Sequence, residues 1–98
     1  MANIRFNYNQ TLQQAEKLEK MASTIQSKTM TALDEISRNV QAAWSGEASD
    51  VFRRYLARMK EDLGAKASYL KKTADFLRTA AKKMKEAEMA AQQSARRI

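Results

Sequence analysis

Paired carboxylates stand at Glu16 and Glu19, at Glu61 and Asp62, and at Glu86 and Glu88, and close pairs of this kind are what general acid–base catalysis or a divalent cation would draw on. The rest of the sequence does not complete either chemistry. The chain holds no His and no Cys, which removes imidazole and thiolate metal ligands and the Cys/His and Ser/His nucleophile pairs. All three pairs fall in stretches that read as solvated helix surface, where no desolvated pocket moves a carboxyl pKa. No catalytic residue, metal or cofactor is expected.

Positive charge is the second candidate. Lys71, Lys72, Arg78, Lys82, Lys83, Lys85, Arg96 and Arg97 crowd the C-terminal half of a chain whose formal net charge is +7. Residues 1–47 are balanced, with Arg5, Lys17, Lys20, Lys28 and Arg38 against Glu16, Glu19, Asp34, Glu35 and Glu47, so the whole excess lies in residues 48–98. Clustered cations suffice for salt-sensitive phosphate contact, but base stacking or groove reading needs exposed aromatics or a recognition element, and none is evident. Acidic lipid or an acidic partner helix would use the same side chains, and no specific nucleic-acid site is expected. Much of the charge is spaced for local pairing, as in Glu16 with Lys20, Asp34 with Arg38, Asp50 with Arg54, Asp62 with Lys66 and Lys82 with Glu86. Each such pair contributes only about 0.2–0.5 kcal/mol to a helix.

The elements that hold these side chains are helices. The 98 residues include no Pro and only 2 Gly, and from about residue 8 to 42 the chain is rich in the residues helices tolerate best. Asn7 is placed to cap this first helix, with Gln10 three residues on. Apolar and small residues recur every seven positions at Leu18, Ile25 and Ala32 and at Ala15, Ala22, Thr29, Ile36 and Ala43, and Leu12, Leu33 and Val40 widen the stripe. Residues 43–47 then gather Trp44, Ser45 and Gly46, where the reversal is expected, with Ser45 able to cap the next helix and Glu47 and Asp50 favourable in its first turn. A second helix over about residues 47–93 repeats Leu56, Leu63, Leu70, Leu77 and Met84 at sevens, with Phe52, Met59, Lys66, Thr73 and Ala80 as the companion row. Lys66 and Asn39 interrupt apolar rows, where a polar side chain can set register or partner.

The fold class that follows is all-α, a hairpin of two long antiparallel helices in a single domain. One shared seam buries too little to offset chain entropy, and a third row of Tyr55, Tyr69 and Phe76 lies outside it. Two hairpins packed as a four-helix bundle resolve both difficulties. The seam and dimer residues expected on this basis are Leu18, Ile25, Ile36, Phe52, Leu56, Met59, Leu63, Leu70 and Leu77. No stretch is apolar enough for a transmembrane segment, and residues 1–9 lack the apolar core of a cleaved signal peptide.

With about a hundred residues, two helices and Trp44-Ser45-Gly46 in the central turn, the chain resembles the WXG family, the ESAT-like small proteins of type VII secretion systems. The resemblance covers essentially the whole chain. It implies export of a folded homodimer, or of a heterodimer with a related WXG-type protein, to the cell surface or medium without a cleaved signal peptide. It also implies recognition by an FtsK/SpoIIIE-type ATPase through a surface that combines Trp44, Ser45 and Gly46 with the C-terminal end of the partner's long helix. Family members carrying an export signal show Tyr-x-x-x-Asp/Glu after that helix. Here Met84 and Glu88 stand in a degenerate version of it, so either the signal is relaxed or a partner chain, such as a larger secreted effector, carries it.

Overall fold

The computed structural model of the chain describes residues 6–96. Three α-helices and one π-helical turn follow in order: α1 (Tyr8–Thr24), the π turn (Ile25–Thr29), α2 (Met30–Ala43) and α3 (Glu47–Arg96). No β-strand occurs among the described residues. α1, the π turn and α2 form one long arm that lies antiparallel against α3, in a rod of 79 × 19 × 19 Å.

Each end of the arm has a local cause. Asn7 is extended, and its Oδ1 accepts from the Gln10 N–H at 2.9 Å, satisfying a donor that a helix start leaves free, while its carbonyl accepts from the Thr11 hydroxyl at 2.8 Å. Trp44 leaves the helical region at φ −119°, ψ 147°, and its N–H closes the last turn on the Val40 carbonyl at 2.8 Å. Gly46 then adopts φ +103°, a conformation that costs an L side chain energy and glycine nothing. Gly46, rather than Ser45, stands immediately before α3, and its carbonyl accepts the Asp50 N–H at 3.2 Å.

The seam between arm and helix is made of small residues. Ala15, Ala22, Ala67, Ala74 and Ala81 are essentially inaccessible, and Leu56 and Ser49 are buried. On α3 the leucine row of Leu56, Leu63, Leu70 and Leu77 therefore pairs with the row Lys60, Ala67, Ala74 and Ala81, and not with the row beginning Phe52 and Met59. Alanines let the two backbones approach, and the longer leucines close the flank beside them.

The π turn changes the register of the arm. The Met30 N–H donates to the Ile25 carbonyl, five residues back, so one extra residue is accommodated and everything after it turns by about 100° relative to an unbroken α-helix. Before the turn the inward residues are Ala15, Leu18, Ala22 and Ile25; after it they are Met30, Leu33, Ser37 and Val40, and Ile36 is left 44 % exposed. An uninterrupted seven-residue row running through Thr29 to Ile36 and Ala43 would have turned Ile36 and Asn39 inward and left Leu33 and Val40 on the flank, in the row of Glu19 and Gln26. Burying Leu33, Val40 and Met30 is worth more apolar area. The local chain yields readily, because Ser23, Thr24, Ile25, Ser27 and Thr29 are weak helix formers, and the hydroxyls of Thr24 and Ser27 bond to the carbonyls of Lys20 (3.0 Å) and Ser23 (2.7 Å).

Polar contacts pin one side of the hairpin. Asp34 takes two bonds from Lys60 Nζ at 2.8 and 2.9 Å, Gln26 Oε1 accepts from Lys71 at 2.8 Å, Glu19 pairs with Arg78, and Lys85 Nζ sits 4.3 Å from the Tyr8 ring centre. Of the helical pairs expected from spacing, Glu16 with Lys20 forms at 3.4 Å. Asp34 instead crosses to α3, and Asp50 bonds Arg53 rather than Arg54. Asp62 with Lys66 and Lys82 with Glu86 are not among the ion pairs of the described residues.

Candidate functional site: the turn and the open apolar face

Trp44 is 55 % exposed although it is the largest side chain of the molecule. Its ring meets Phe52 at a centroid distance of 6.0 Å and a tilt of 57°, the range in which edge-on aromatic contacts are favourable. With Glu47, Ala48, Val51 and Tyr55 these two rings line an open apolar groove of about 710 Å³. Ser45 lines a smaller hollow with Ala43, Trp44, Ala48 and Ser49. Arg54 and Arg58 border the groove beside Val51 and Tyr55. Val51 and Ala48 were not singled out from sequence, although their spacing of four and seven residues before Tyr55 places them beside it on a helix.

The groove runs into a longer apolar face. Lys71, Arg78 and Lys85 form one row of α3, all engaged with the arm, and the residues two positions further, Thr73, Ala80 and the earlier members Phe52, Met59 and Lys66, lie about 160° around the helix. Met21 and Ile36 stand in the same relation to Glu19 and Asp34 on the arm. The hairpin therefore has a cross-linked polar flank and an opposite flank where Met21, Ile36, Phe52 and Met59 are exposed, next to Tyr55, Tyr69 and Phe76. Tyr69 and Phe76 are about 70 % open, and Ile25 joins Ala65, Lys66, Tyr69 and Leu70 in a further apolar hollow on this side.

Sequence-derived seam residues thus divide. Leu18, Ile25, Leu56, Leu63, Leu70 and Leu77 face the intrachain seam to differing depth, whereas Ile36, Phe52 and Met59 lie on the open face. Met84 and Glu88 are both exposed on α3, one turn apart, next to Lys85 where α1 begins. The structure does not bring them to the turn of the same chain, which lies at the other end of the rod. Arg5 and Arg97 lie outside the described residues.

Chemically the surface is suited to binding. Glu16 and Glu19 are engaged with Lys20 and Arg78. The hydrogen bond to Glu19 raises the Arg78 pKa above its ordinary value, and the proximity of Asp75 adds to it. Among the described residues no group of three or more acidic side chains is placed to hold a metal ion, and no helix is long and apolar enough to cross a membrane.

Comparison with known proteins agrees with this arrangement. The family model WXG100, described as "Proteins of 100 residues with WXG", matches residues 3–89, a span that includes the first arm, the Trp44-Ser45-Gly46 turn and most of α3, with Met84 and Glu88. No curated protein and no solved structure matches the chain. A tryptophan and a glycine at the single reversal of a helical hairpin, over a match of this extent, place the chain in the WXG100 family of small ESAT-like proteins associated with type VII secretion.

Proposed function

We propose that the protein is a non-enzymatic type VII substrate, exported as a folded pair of hairpins joined through the open apolar face. In this reading its partner is itself or a related WXG-type chain. The turn of one hairpin, with Trp44, Ser45 and Gly46, and the end of the other's long helix, with Met84 and Glu88, together face an FtsK/SpoIIIE-type ATPase on the way to the cell surface or medium. The observation that supports this most is the exposure of Trp44. A tryptophan needed only to lock the turn would be covered, yet more than half of this one is open above an apolar groove.

The test is export in the native host. Deleting the secretion ATPase is expected to remove the protein from the medium and leave its cellular level intact; an unchanged extracellular level overturns the reading. Trp44→Ala is expected to abolish export while helicity and pairing persist. A second reading draws on the missing aromatic four residues before Glu88: the chain serves as targeting partner of a larger effector that carries the signal. Recovery of a stoichiometric second protein with the tagged chain, and of that protein alone in the medium, would favour it.

A further inference from the structure

The basic excess of α3 and the two most open rings of the molecule fall on one line of that helix, which export and pairing leave unused. Ser49, Leu56, Ala67, Ala74 and Ala81 are buried in the seam. Two residues after each of them stand Val51, Arg58, Tyr69, Phe76 and Lys83, about 200° further round the helix and so on the side turned away from the arm. Tyr69 and Phe76, at 71 % and 70 %, are the most exposed large apolar side chains among the described residues. Their positions stand about 80–100° round from Met59, beyond the row on which a second hairpin would rest.

Cations bracket these rings. Lys72 is three residues after Tyr69 and four before Phe76, hence one turn from both, and Lys83 is seven after Phe76. Arg58 stands at the other end, eleven residues before Tyr69. Arg58, Lys72 and Lys83 are exposed, and none of the three is in an ion pair among the described residues. The acidic groups nearby are Glu61 and Asp62, between Arg58 and Tyr69, then Asp75, which Arg78 engages, and Glu86, three residues after Lys83. The two rings are about 10.5 Å apart along the axis at 1.5 Å per residue, and Lys72 is level with the gap between them.

Polyanions differ in what they ask of such a line. A duplex keeps its bases stacked inside and offers open rings little beyond phosphate. A bilayer rewards a broad apolar face, whereas this line holds two rings with Asp62 before them and Glu86 after, and anionic headgroups repel both carboxylates. Unstacked bases on a phosphate backbone use open rings with cations beside them, and Tyr69, Lys72, Phe76 and Lys83 supply that alternation.

We propose that the outer line of α3 from Arg58 to Lys83 binds single-stranded nucleic acid without sequence preference, with bases stacked on Tyr69 and Phe76 and phosphates held by Lys72, Lys83 and Arg58. The site is separate from the Trp44 turn and from the row of Phe52 and Met59, so it stands or falls independently of export.

Fluorescence anisotropy of a labelled oligothymidine of about twelve nucleotides, a length that a site of this size accommodates, tests it on the full chain. Binding is expected in the micromolar range at about 50 mM salt, and three phosphate contacts lower it about tenfold by about 150 mM. Tyr69→Ser and Phe76→Ser are each expected to weaken binding about fivefold or more with helicity retained, while Phe76→Tyr, which keeps a ring, leaves it within about twofold. Lys72→Ser is expected to weaken binding and flatten the salt dependence, and Lys28→Ser, on the arm, to do neither. Ring substitutions without effect, or Lys28→Ser as damaging as Lys72→Ser, would show attraction by diffuse charge and overturn the site. Absence of binding at about 50 mM salt overturns it outright. A dependence on Tyr69 and Phe76 seen with phosphatidylglycerol vesicles and not with oligothymidine also overturns it, and assigns the line to lipid.

Discussion

At the scale of single residues, the seam and the turn respond to substitution in opposite ways. Ala74 is fully enclosed between the helices, so Ala74→Leu must push them apart, and overpacking of this kind costs about 1–3 kcal/mol; urea denaturation would read it as a lower midpoint at unchanged slope. A methyl group added at Gly46 would have no other atom within 4 Å, so Gly46→Ala meets no obstacle, and the loss, about 1–2 kcal/mol, comes from backbone conformation alone. Gly46→Asn is expected to recover part of it, since asparagine tolerates the left-handed region better. Trp44→Ala removes a half-exposed ring whose described aromatic neighbour is Phe52, and is expected to cost the hairpin under about 1.5 kcal/mol while abolishing export.

At the scale of elements, the π turn joins two stretches of helix whose inward residues are out of phase by one position. Deleting Ser27, which is exposed, would let the backbone close as continuous α-helix while keeping Ala15, Leu18 and Ala22 on one side and Met30, Leu33 and Val40 on the other in the seam. The deletion is expected to preserve helicity, measured by circular dichroism, and to raise the thermal midpoint rather than lower it. The Asp34–Lys60 pair acts at the same scale, pinning α2 to α3 in the shifted register. Its partners are both part-exposed, so breaking it with Lys60→Met is expected to cost no more than about 1 kcal/mol.

At the scale of the whole molecule, a rod 19 Å across with a core of alanines and one well-buried leucine has little interior of its own. If the hairpin pairs as proposed, its stability is linked to association, and the thermal midpoint is expected to rise with protein concentration by mass action. A midpoint independent of concentration over a hundredfold range would show that the lone hairpin is self-sufficient. The net charge of +7 predicts weak retention of duplex DNA at low salt, lost by about 0.15 M because the contacts are purely electrostatic. Retention with sequence preference in a gel-shift titration at that salt would contradict this.

Much of this was readable in the sequence, for reasons that can be located. Helix content, the Asn7 cap and the reversal at Trp44-Ser45-Gly46 follow from local chemistry: no proline, few glycines, a side chain placed to accept a free N–H, and one glycine able to relax the backbone at a helix end. The leucine row of α3 was visible because leucine is unambiguous, whereas the alanine row of Ala67, Ala74 and Ala81 was not, because alanine favours helix anywhere and marks no face. Only tertiary structure decided the π turn and, with it, the outward placement of Ile36. A heptad count assumes an unbroken helix, and whether the helix breaks depends on which of two registers buries more against α3. That comparison needs both helices in place, so the composition of the seam and of the open face belongs to packing, while the hairpin itself belongs to the sequence.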